Sequence, residues 1–540
     1  MIEAVRMPRG RQDHPPEMTL HEAVPAPSTE ARAPKRRLAL AGPWPWVGFA
    51  GAVIIATTTP AWRLDRRTWR ITLPWLPHDG QRPTTAILFV SGVVLLGLAW
   101  IGLVSRVERS RLTDRARTRA VLLTCALWFV PILLGPPLLS SDVYSYGAQG
   151  EMVTQGFDPT QDPMYKVLYG DYLAMTDPTW RTPVARGEQG VGGGNPYGPV
   201  QMGLAAAVVT ASGHNPAITA FLFKVLAAAF LGLAAWAVSD IARRHGVSPP
   251  VAVALAVANP IAVIHVVGGG HNDGVMLGLL CAGIALAMRD RWRIGMVLIS
   301  FATLVKLPAA AGLVFIAWNR PGIGNALRAR IRSVINAFAI CVAVTAVACV
   351  VVGVGLGWIG AMRQTGSTKG TLSVMTQLGF VVSHAVSFVG FNATEDTWVN
   401  IFRLLGLGIA ALASIVLLWF SPKIGAVRSL GLCLLVVILL GPVVWPWYLA
   451  PLLAVLFAAG IGRWRPSAMV LCAVFAGEVL PSGVNGRPVL ERQHLINLLL
   501  IGAIGLVAFA SPWIVEWWQS FRREEAGPGS ESATTAALAD

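Results

Sequence analysis

Apolar runs of about 20 residues recur along this chain from Trp44 to Trp518. A helix of about 20 apolar residues crosses the roughly 30 Å of hydrocarbon in a bilayer. Only 13% of the residues are charged, whereas a soluble domain has about 25%. A soluble fold of 540 residues would have too little interior to hide this much apolar surface. The sequence therefore predicts an all-α polytopic membrane protein.

Several apolar runs are short or interrupted, and we predict roughly 11–14 transmembrane helices in all. The clear spans are 44–62, 85–105, 119–139, 216–239, 333–353, 401–421, 429–446 and 494–511. The shorter pieces are 199–212, 249–266, 274–288, 294–305, 308–318, 449–461 and 467–481. Helices that break at membrane depth must line protein or a water-filled cavity. The breaks at 268–273 and 306–308 are therefore candidate positions for a functional site.

The formal net charge of +15 comes largely from arginines in short loops between the spans. This is the positive-inside pattern and not a nucleic-acid-binding surface, so we expect no nucleic-acid partner. It predicts a multi-pass protein of the cell (inner) membrane, with both termini in the cytoplasm. The loops 140–198, 354–400 and 481–493 then lie outside. Only the loop 63–84 disagrees, because it holds five arginines and yet must lie outside if both neighbouring spans cross.

The chain has three predicted parts. Residues 1–43 and 524–540 are polar and are expected to be disordered cytoplasmic tails. Residues 44–523 form the membrane domain, in which the first extracytoplasmic loop is large. The six cysteines all lie in apolar segments, which favours small packing residues over disulfides or metal ligands.

Asp142 directly follows the third predicted span, in the segment Ser140-Ser141-Asp142-Val143-Tyr144-Ser145-Tyr146. A carboxylate at the outer boundary of the membrane is close to water and can exchange protons with it. This suits a general base that removes a proton from a sugar hydroxyl. The alternative is that Ser141 or Asp142 only caps a following helix at Val143–Gln155.

Two aromatic segments are candidates for sugar binding. The turn Asn195-Pro196-Tyr197-Gly198-Pro199 is rigid and holds Tyr197 where it can stack on a sugar ring. The segment Trp445-Pro446-Trp447-Tyr448 offers a platform for a sugar or a prenyl chain. Their alternatives are an ordinary turn and an ordinary aromatic anchor at the membrane surface.

The helix break around residue 270 carries the densest group of polar residues, His265 followed by Gly268-Gly269-Gly270-His271-Asn272-Asp273. Ionisable groups inside a membrane are functional candidates. The alternative is that Asp273 caps helix 274–288. His271 and Asp273 are two residues apart, which is not a characteristic metal-ligand spacing, and we expect no metal ion.

Lys306 is the single charged residue within Ser300–Phe315. A cation at this depth must pair with another group or face water, and a lipid phosphate is one suitable partner. The alternative is a lysine that extends to the membrane surface without a function. If Lys306 binds a phosphate, methionine in its place should weaken donor binding without harming the fold.

In order and spacing, these motifs resemble those of the actinobacterial polyprenol-phosphomannose-dependent α-1,6-mannosyltransferases, the MptA/MptB type of GT-C glycosyltransferase. Gly156-Phe157-Asp158-Pro159 and Leu304-Val305-Lys306 also match, whereas position 270 is more often alanine in that family. The resemblance covers residues 44 to 512. It implies a GT-C fold and no cofactor. It further implies inverting transfer of mannose from polyprenyl-phosphate-mannose to an α-1,6-mannan acceptor of lipomannan or lipoarabinomannan, outside the membrane.

The resemblance also implies roles for individual residues. Asp142, His271 and Asp273 are the expected catalytic residues, with Asp142 as the base, and Lys306 is the expected partner of the donor phosphate. The expected substrate-binding residues are Tyr144, Tyr146, Tyr197, His265, Asn272, Trp445, Trp447 and Tyr448.

Other functions remain open at this level. The same motifs would suit an arabinofuranosyl or glucosyl transferase, because they do not specify the sugar. A lipid or polysaccharide flippase would spread its charges across the bilayer, whereas here the polar groups gather at one face. A structural scaffold would leave His271, Asp273 and Lys306 without a role.

Overall fold

The computed structural model describes residues 42–58, 83–162, 164, 171–172, 195–365, 372–390, 394–477 and 494–525. Within these ranges the chain is helical and contains no strand. The predicted loops 63–84 and 481–493, the two tails and the glycine run 190–194 lie largely or wholly outside the described residues.

The helices are named here in chain order. They are α1 (Trp44–Thr58), α2 (Pro83–Arg109), α3 (Asp114–Leu134), α4 (Asp142–Thr154), α5 (Pro199–Ala211), α6 (Pro216–Arg244), α7 (Pro249–Val257), a π-helix (Ala262–Gly268), α8 (Asp273–Ala287), α9 (Trp292–Val305), a 3-10 turn (Leu307–Ala309), α10 (Ala310–Trp318), α11 (Leu327–Val352), α12 (Gly357–Thr365), α13 (Val374–Phe388), α14 (Glu395–Ile424), α15 (Ala426–Leu439), a 3-10 turn (Pro446–Tyr448), α16 (Leu449–Ala459), a 3-10 turn (Gly462–Trp464), α17 (Arg465–Ala476) and α18 (His494–Glu525).

Among the described residues, six helices are long and apolar enough to cross a membrane, namely α2, α3, α6, α11, α14 and α18. The bent pair formed by α7 and the π-helix, at 58°, counts as a seventh if it is one span. Eight further apolar helices are shorter. This confirms the predicted all-α polytopic architecture with broken and short helices.

The interior of the bundle is built from α6, α7, α8 and α16. Every residue of α7 and of α16 is buried. By contrast, α11 and α14 expose large apolar side chains such as Val350 and Leu412. An aqueous fold would not leave such faces open, whereas lipid tails cover them. Trp100 Nε1 donates to the Ala254 carbonyl at 2.9 Å and ties α2 to α7.

Two segment boundaries that were predicted from the sequence differ from those in the structure. The third span was predicted at 119–139, but α3 runs from Asp114 to Leu134. Gly135 is extended and Pro136 and Pro137 follow it, so the helix cannot continue. The predicted loop 354–400 contains α12, α13 and the start of α14. The break at 268–273 lies where the sequence placed it.

Candidate active site

Asp142 is the first residue of α4 and follows a short non-helical segment, 135–141. Its backbone N–H donates to Ser140 Oγ at 3.1 Å. The cap residue Ser141 makes no side-chain cap hydrogen bond. The helix predicted at Val143–Gln155 is therefore present, but the Ser141 side chain does not cap it.

His271 approaches Asp142 from the break between the π-helix and α8. Its Nδ1 lies 3.5 Å from Asp142 Oδ2, and the His271 side chain is fully buried while that of Asp142 is 38% exposed. The distance exceeds that of an ordinary hydrogen bond, but catalytic hydrogen bonds often shorten only when substrate binds. The imidazole stacks on the Trp447 ring, with 3.8 Å between centroids and 16° between planes. Asp142 thus lies beside a fixed imidazole, and its side chain remains partly exposed.

Asp273 and Lys306 form an ion pair, with 2.7 Å between Oδ2 and Nζ. Asp273 is buried, and the Lys306 side chain is 13% exposed. Asn272 is the cap residue of α8 and makes no side-chain cap hydrogen bond. The cap position of α8 thus belongs to Asn272, and the Asp273 carboxylate pairs with Lys306. This pairing changes the expectation for methionine at position 306. Such a substitution would leave a buried carboxylate without its cation.

The Lys306 ammonium also lies 4.4 Å from the centroid of the Tyr448 ring. A cation above an aromatic face is attracted to it electrostatically. Trp445 and Trp447 stack on each other, with 5.2 Å between centroids. The predicted aromatic platform is therefore a connected layer that touches both His271 and Lys306.

Tyr146 and Tyr197 form a wall of the same site. Tyr146 Oη donates to Asn272 Oδ1 at 3.4 Å, and the two tyrosine rings meet edge to face at 5.4 Å. Burial raises the pKa of each hydroxyl well above the usual range, and the Asp142 carboxylate adds to this. Both hydroxyls therefore keep their protons at neutral pH and can donate hydrogen bonds.

The turn that carries Tyr197 is held close to the chain just before Lys306. Asn195 Oδ1 accepts from the Tyr197 N–H at 3.0 Å. A side chain at Gly198 would place its Cβ 2.5 Å from the Leu304 carbonyl oxygen, so glycine permits this approach. The predicted rigid turn thus brings Tyr197 toward the Lys306 side of the site.

Two predicted binding residues take supporting positions. His265 Nε2 lies 3.1 Å from the Ala476 carbonyl oxygen, and its ring is 6.0 Å from that of Trp447. Tyr144 is buried in an apolar cluster with Ala220 and Phe223 of α6. Both side chains belong to the packing around the site.

Sequence reasoning missed Lys224. It lies in α6, is fully buried, and donates to carbonyl oxygens at the end of α3. Its signal was the same as that of Lys306, because it is the single charged residue within the predicted span 216–239.

Fold and site together define a multi-pass membrane protein with a carboxylate, an imidazole, a cation and an aromatic layer gathered at one end of its bundle. This is the composition of a membrane-embedded enzyme.

Comparison with known proteins identifies the family of the chain. The profile described as "Alpha-(1->6)-mannopyranosyltransferase, N-terminal domain" matches residues 45–321. The profile of the MptB C-terminal domain matches residues 375–504. No solved structure matches the chain.

Relatives match over most of their length. Alpha-(1->6)-mannopyranosyltransferase A of Mycobacterium tuberculosis is 33% identical over 464 residues, covering 82% of this chain and 85% of that protein. Alpha-(1->6)-mannopyranosyltransferase B of Corynebacterium glutamicum is 28% identical and covers 82% and 75%. The chain therefore belongs to the MptA/MptB family of GT-C glycosyltransferases, which confirms the resemblance.

Proposed function

We propose that this enzyme transfers mannose from polyprenyl-phosphate-mannose to an α-1,6-mannan acceptor of lipomannan or lipoarabinomannan, on the extracytoplasmic face. The single observation that carries the proposal is the half-open position of Asp142. The Asp142 side chain is 38% exposed, and its Oδ2 lies 3.5 Å from Nδ1 of the buried His271. An acceptor hydroxyl can reach the carboxylate from the open side, as a general base requires. The names of the relatives support the sugar and the linkage.

In this mechanism the acceptor hydroxyl gives its proton to Asp142 while its oxygen bonds to the anomeric carbon of mannose. The bond between that carbon and the phosphate oxygen breaks, and the electron pair leaves with the polyprenyl phosphate. A β-linked donor then yields an α-linked product by one inversion, without a covalent enzyme intermediate. His271 orients the carboxylate from its buried side.

Lys306 is the proposed partner of the departing phosphate. An ammonium has three N–H donors, and Asp273 accepts from one of them at 2.7 Å. The remaining donors are available to a phosphate oxygen. Asp273 thus holds the cation in place, and the cation stabilises the negative charge that develops on the leaving group. Trp445, Trp447 and Tyr448 provide the apolar layer for the sugar or the first prenyl units.

The test is mannose transfer from radiolabelled polyprenyl-phosphate-mannose in membranes that contain this protein as the only mannosyltransferase. We expect Asp142→Asn to lower turnover by about 100-fold or more while donor binding is kept. The matched control is Glu151→Gln, nine residues further along α4 and so on its opposite side, where the carboxylate contacts His214. Activity of Asp142→Asn within tenfold of wild type would remove Asp142 from the base role. Equal transfer from a glucosyl or arabinofuranosyl donor would contradict the assignment of mannose as the transferred sugar.

Sidedness needs a separate experiment. A cysteine in place of the exposed Gln155 should react with an impermeant maleimide in intact spheroplasts. A cysteine in place of the exposed Arg111, within the arginine-rich run 106–119, should react only after permeabilisation. A protected Gln155→Cys would place Asp142 in the cytoplasm and overturn the mechanism.

A further inference from the structure

Lys224 is a lysine whose entire side chain is buried in the apolar helix α6. It lies eight residues into the helix, about 12 Å from its start. A buried ammonium requires polar partners. The partners of Lys224 show which segment of the site this lysine holds in place.

Among the described residues, its partners include backbone carbonyl oxygens at the end of α3. Lys224 Nζ donates to Leu133 at 3.1 Å, to Gly135 at 2.6 Å and to Pro136 at 3.4 Å. In a continuing helix the Leu133 carbonyl would accept from the backbone N–H four residues on, but that residue is Pro137 and has none. Lys224 supplies the missing donor, and its positive charge suits the negative end of a helix.

The segment that Lys224 holds is the one that leads to Asp142. Beyond it, the Leu138 N–H donates to the Gly268 carbonyl at 2.9 Å. Leu139 then adopts a positive φ of 61°, which a leucine keeps only where its surroundings impose it. The segment 133–139 is thus fixed at one end by Lys224 and at the other by the break that carries His271.

The stem of Lys224 also contacts that break. A Cβ added to Gly270 would lie 3.3 Å from Lys224 Cγ and 3.0 Å from Val143 Cγ2. Gly270 itself has a φ of +63°. The lysine stem and the start of α4 therefore both lie close to Gly270, the residue before His271.

We propose that Lys224 is a positioning residue for the transfer reaction. By closing the end of α3 it fixes the segment 133–141, and through that segment it sets the distance between the carboxylate of Asp142 and the ring of His271. The inference rests on the proposed role of Asp142 as the base. A displacement of about 1 Å in a reacting group lowers turnover by about 100-fold.

The experiment compares Lys224→Met, which removes every donor, with Lys224→Gln, which keeps two N–H donors without the charge. Val225→Ala, at the neighbouring partly exposed position, is the control on the same helix. In detergent-purified, monodisperse protein we expect kcat to fall about 30- to 100-fold in Lys224→Met and about 3- to 10-fold in Lys224→Gln. The donor KM should stay within about twofold in both, since neither variant alters a group assigned to the donor.

A purely structural lysine would lower the yield of folded protein but not the kcat of the folded molecules. A wild-type kcat in folded Lys224→Met therefore overturns the proposal, as does a raised donor KM with unchanged kcat. If Lys224→Met does not fold, Lys224→Gln alone decides by the same two criteria. Asp142→Asn is measured in parallel. An active Asp142→Asn would overturn the proposed base, whereas an inactive one beside fully active Lys224 variants would overturn only the positioning role.

Discussion

The ion pair between Asp273 and Lys306 should behave asymmetrically when it is dismantled. Lys306→Met leaves a carboxylate that is 1% exposed without its cation. Removing one member of a buried ion pair costs about 3–5 kcal/mol of the free energy of unfolding, whereas replacing both members by uncharged groups is often neutral. The double variant Asp273→Asn/Lys306→Met should therefore be more stable than Lys306→Met alone, although it is further from the native sequence.

The magnitude can be stated as a melting temperature. For a chain of 540 residues, 1 kcal/mol corresponds to about 1 °C. Lys306→Met should then melt about 3–5 °C below wild type, and the double variant should recover most of this loss. The assay is thermal unfolding of the detergent-solubilised protein, followed by tryptophan fluorescence at a constant scan rate.

A second buried carboxylate, near the C-terminal end of α6, provides a matched control. Asp240 is also buried, but it pairs with Arg289 at 2.7 Å and with Arg244 at 3.2 Å. Arg289→Met therefore leaves Asp240 with a second cation, and its melting temperature should fall much less than that of Lys306→Met. Equal melting temperatures for Lys306→Met and the double variant would refute the reasoning, because the cost would then not come from the stranded carboxylate.

Two further predictions concern the hydroxyl wall and the helix break. The raised pKa of Tyr146 means that the folded chain keeps this proton after the unfolded chain has lost its own near pH ~10. The free energy of unfolding should therefore be level below that pH and fall above it. Between pH 9 and 11 the melting temperature of Tyr146→Phe should fall less than that of wild type. Equal decreases in the two proteins would contradict this prediction. At Gly269, an added Cβ would lie 2.5 Å from His271 Cδ2 and 2.6 Å from the His265 carbonyl oxygen. Gly269→Ala should therefore lower kcat by at least about tenfold. The control Gly232→Ala in α6, where nothing lies within 4 Å of the added Cβ, should keep full activity. A fully active Gly269→Ala would show that His271 need not be held in this position.

The sequence could predict the membrane fold and the helix breaks because both depend on local features. Apolar length defines a span, and the glycines before His271 and the proline after Lys306 interrupt one. The same local reasoning failed at α3, where Pro136 and Pro137 end the helix earlier than apolar length alone indicates.

The contacts within the site could not be predicted in this way. Asp273 and Lys306 lie 33 residues apart on different helices, and their pairing depends on how α8 and α9 pack. Lys224 was overlooked because its described partners are backbone carbonyls, which no side-chain motif indicates. Which cation faces a carboxylate and which faces a helix end depends on the tertiary fold.

The site draws on both parts of the chain that match the family. Asp142, His271 and Lys306 lie within the N-terminal match, whereas the aromatic layer Trp445–Tyr448 lies within the C-terminal one.

Helix α13 holds the segment that leads to this layer. Ser373 Oγ, just before α13, donates to the Gly441 carbonyl at 2.8 Å, and Thr376 Oγ1 donates to the Pro442 carbonyl at 2.9 Å. Arg403 Nε in turn donates to Thr376 Oγ1 at 3.0 Å. The C-terminal part therefore fixes the ring against which His271 stacks. The N-terminal part holds the proposed base and the cation, and the C-terminal part supplies one wall of the candidate site, so the site is built from both parts.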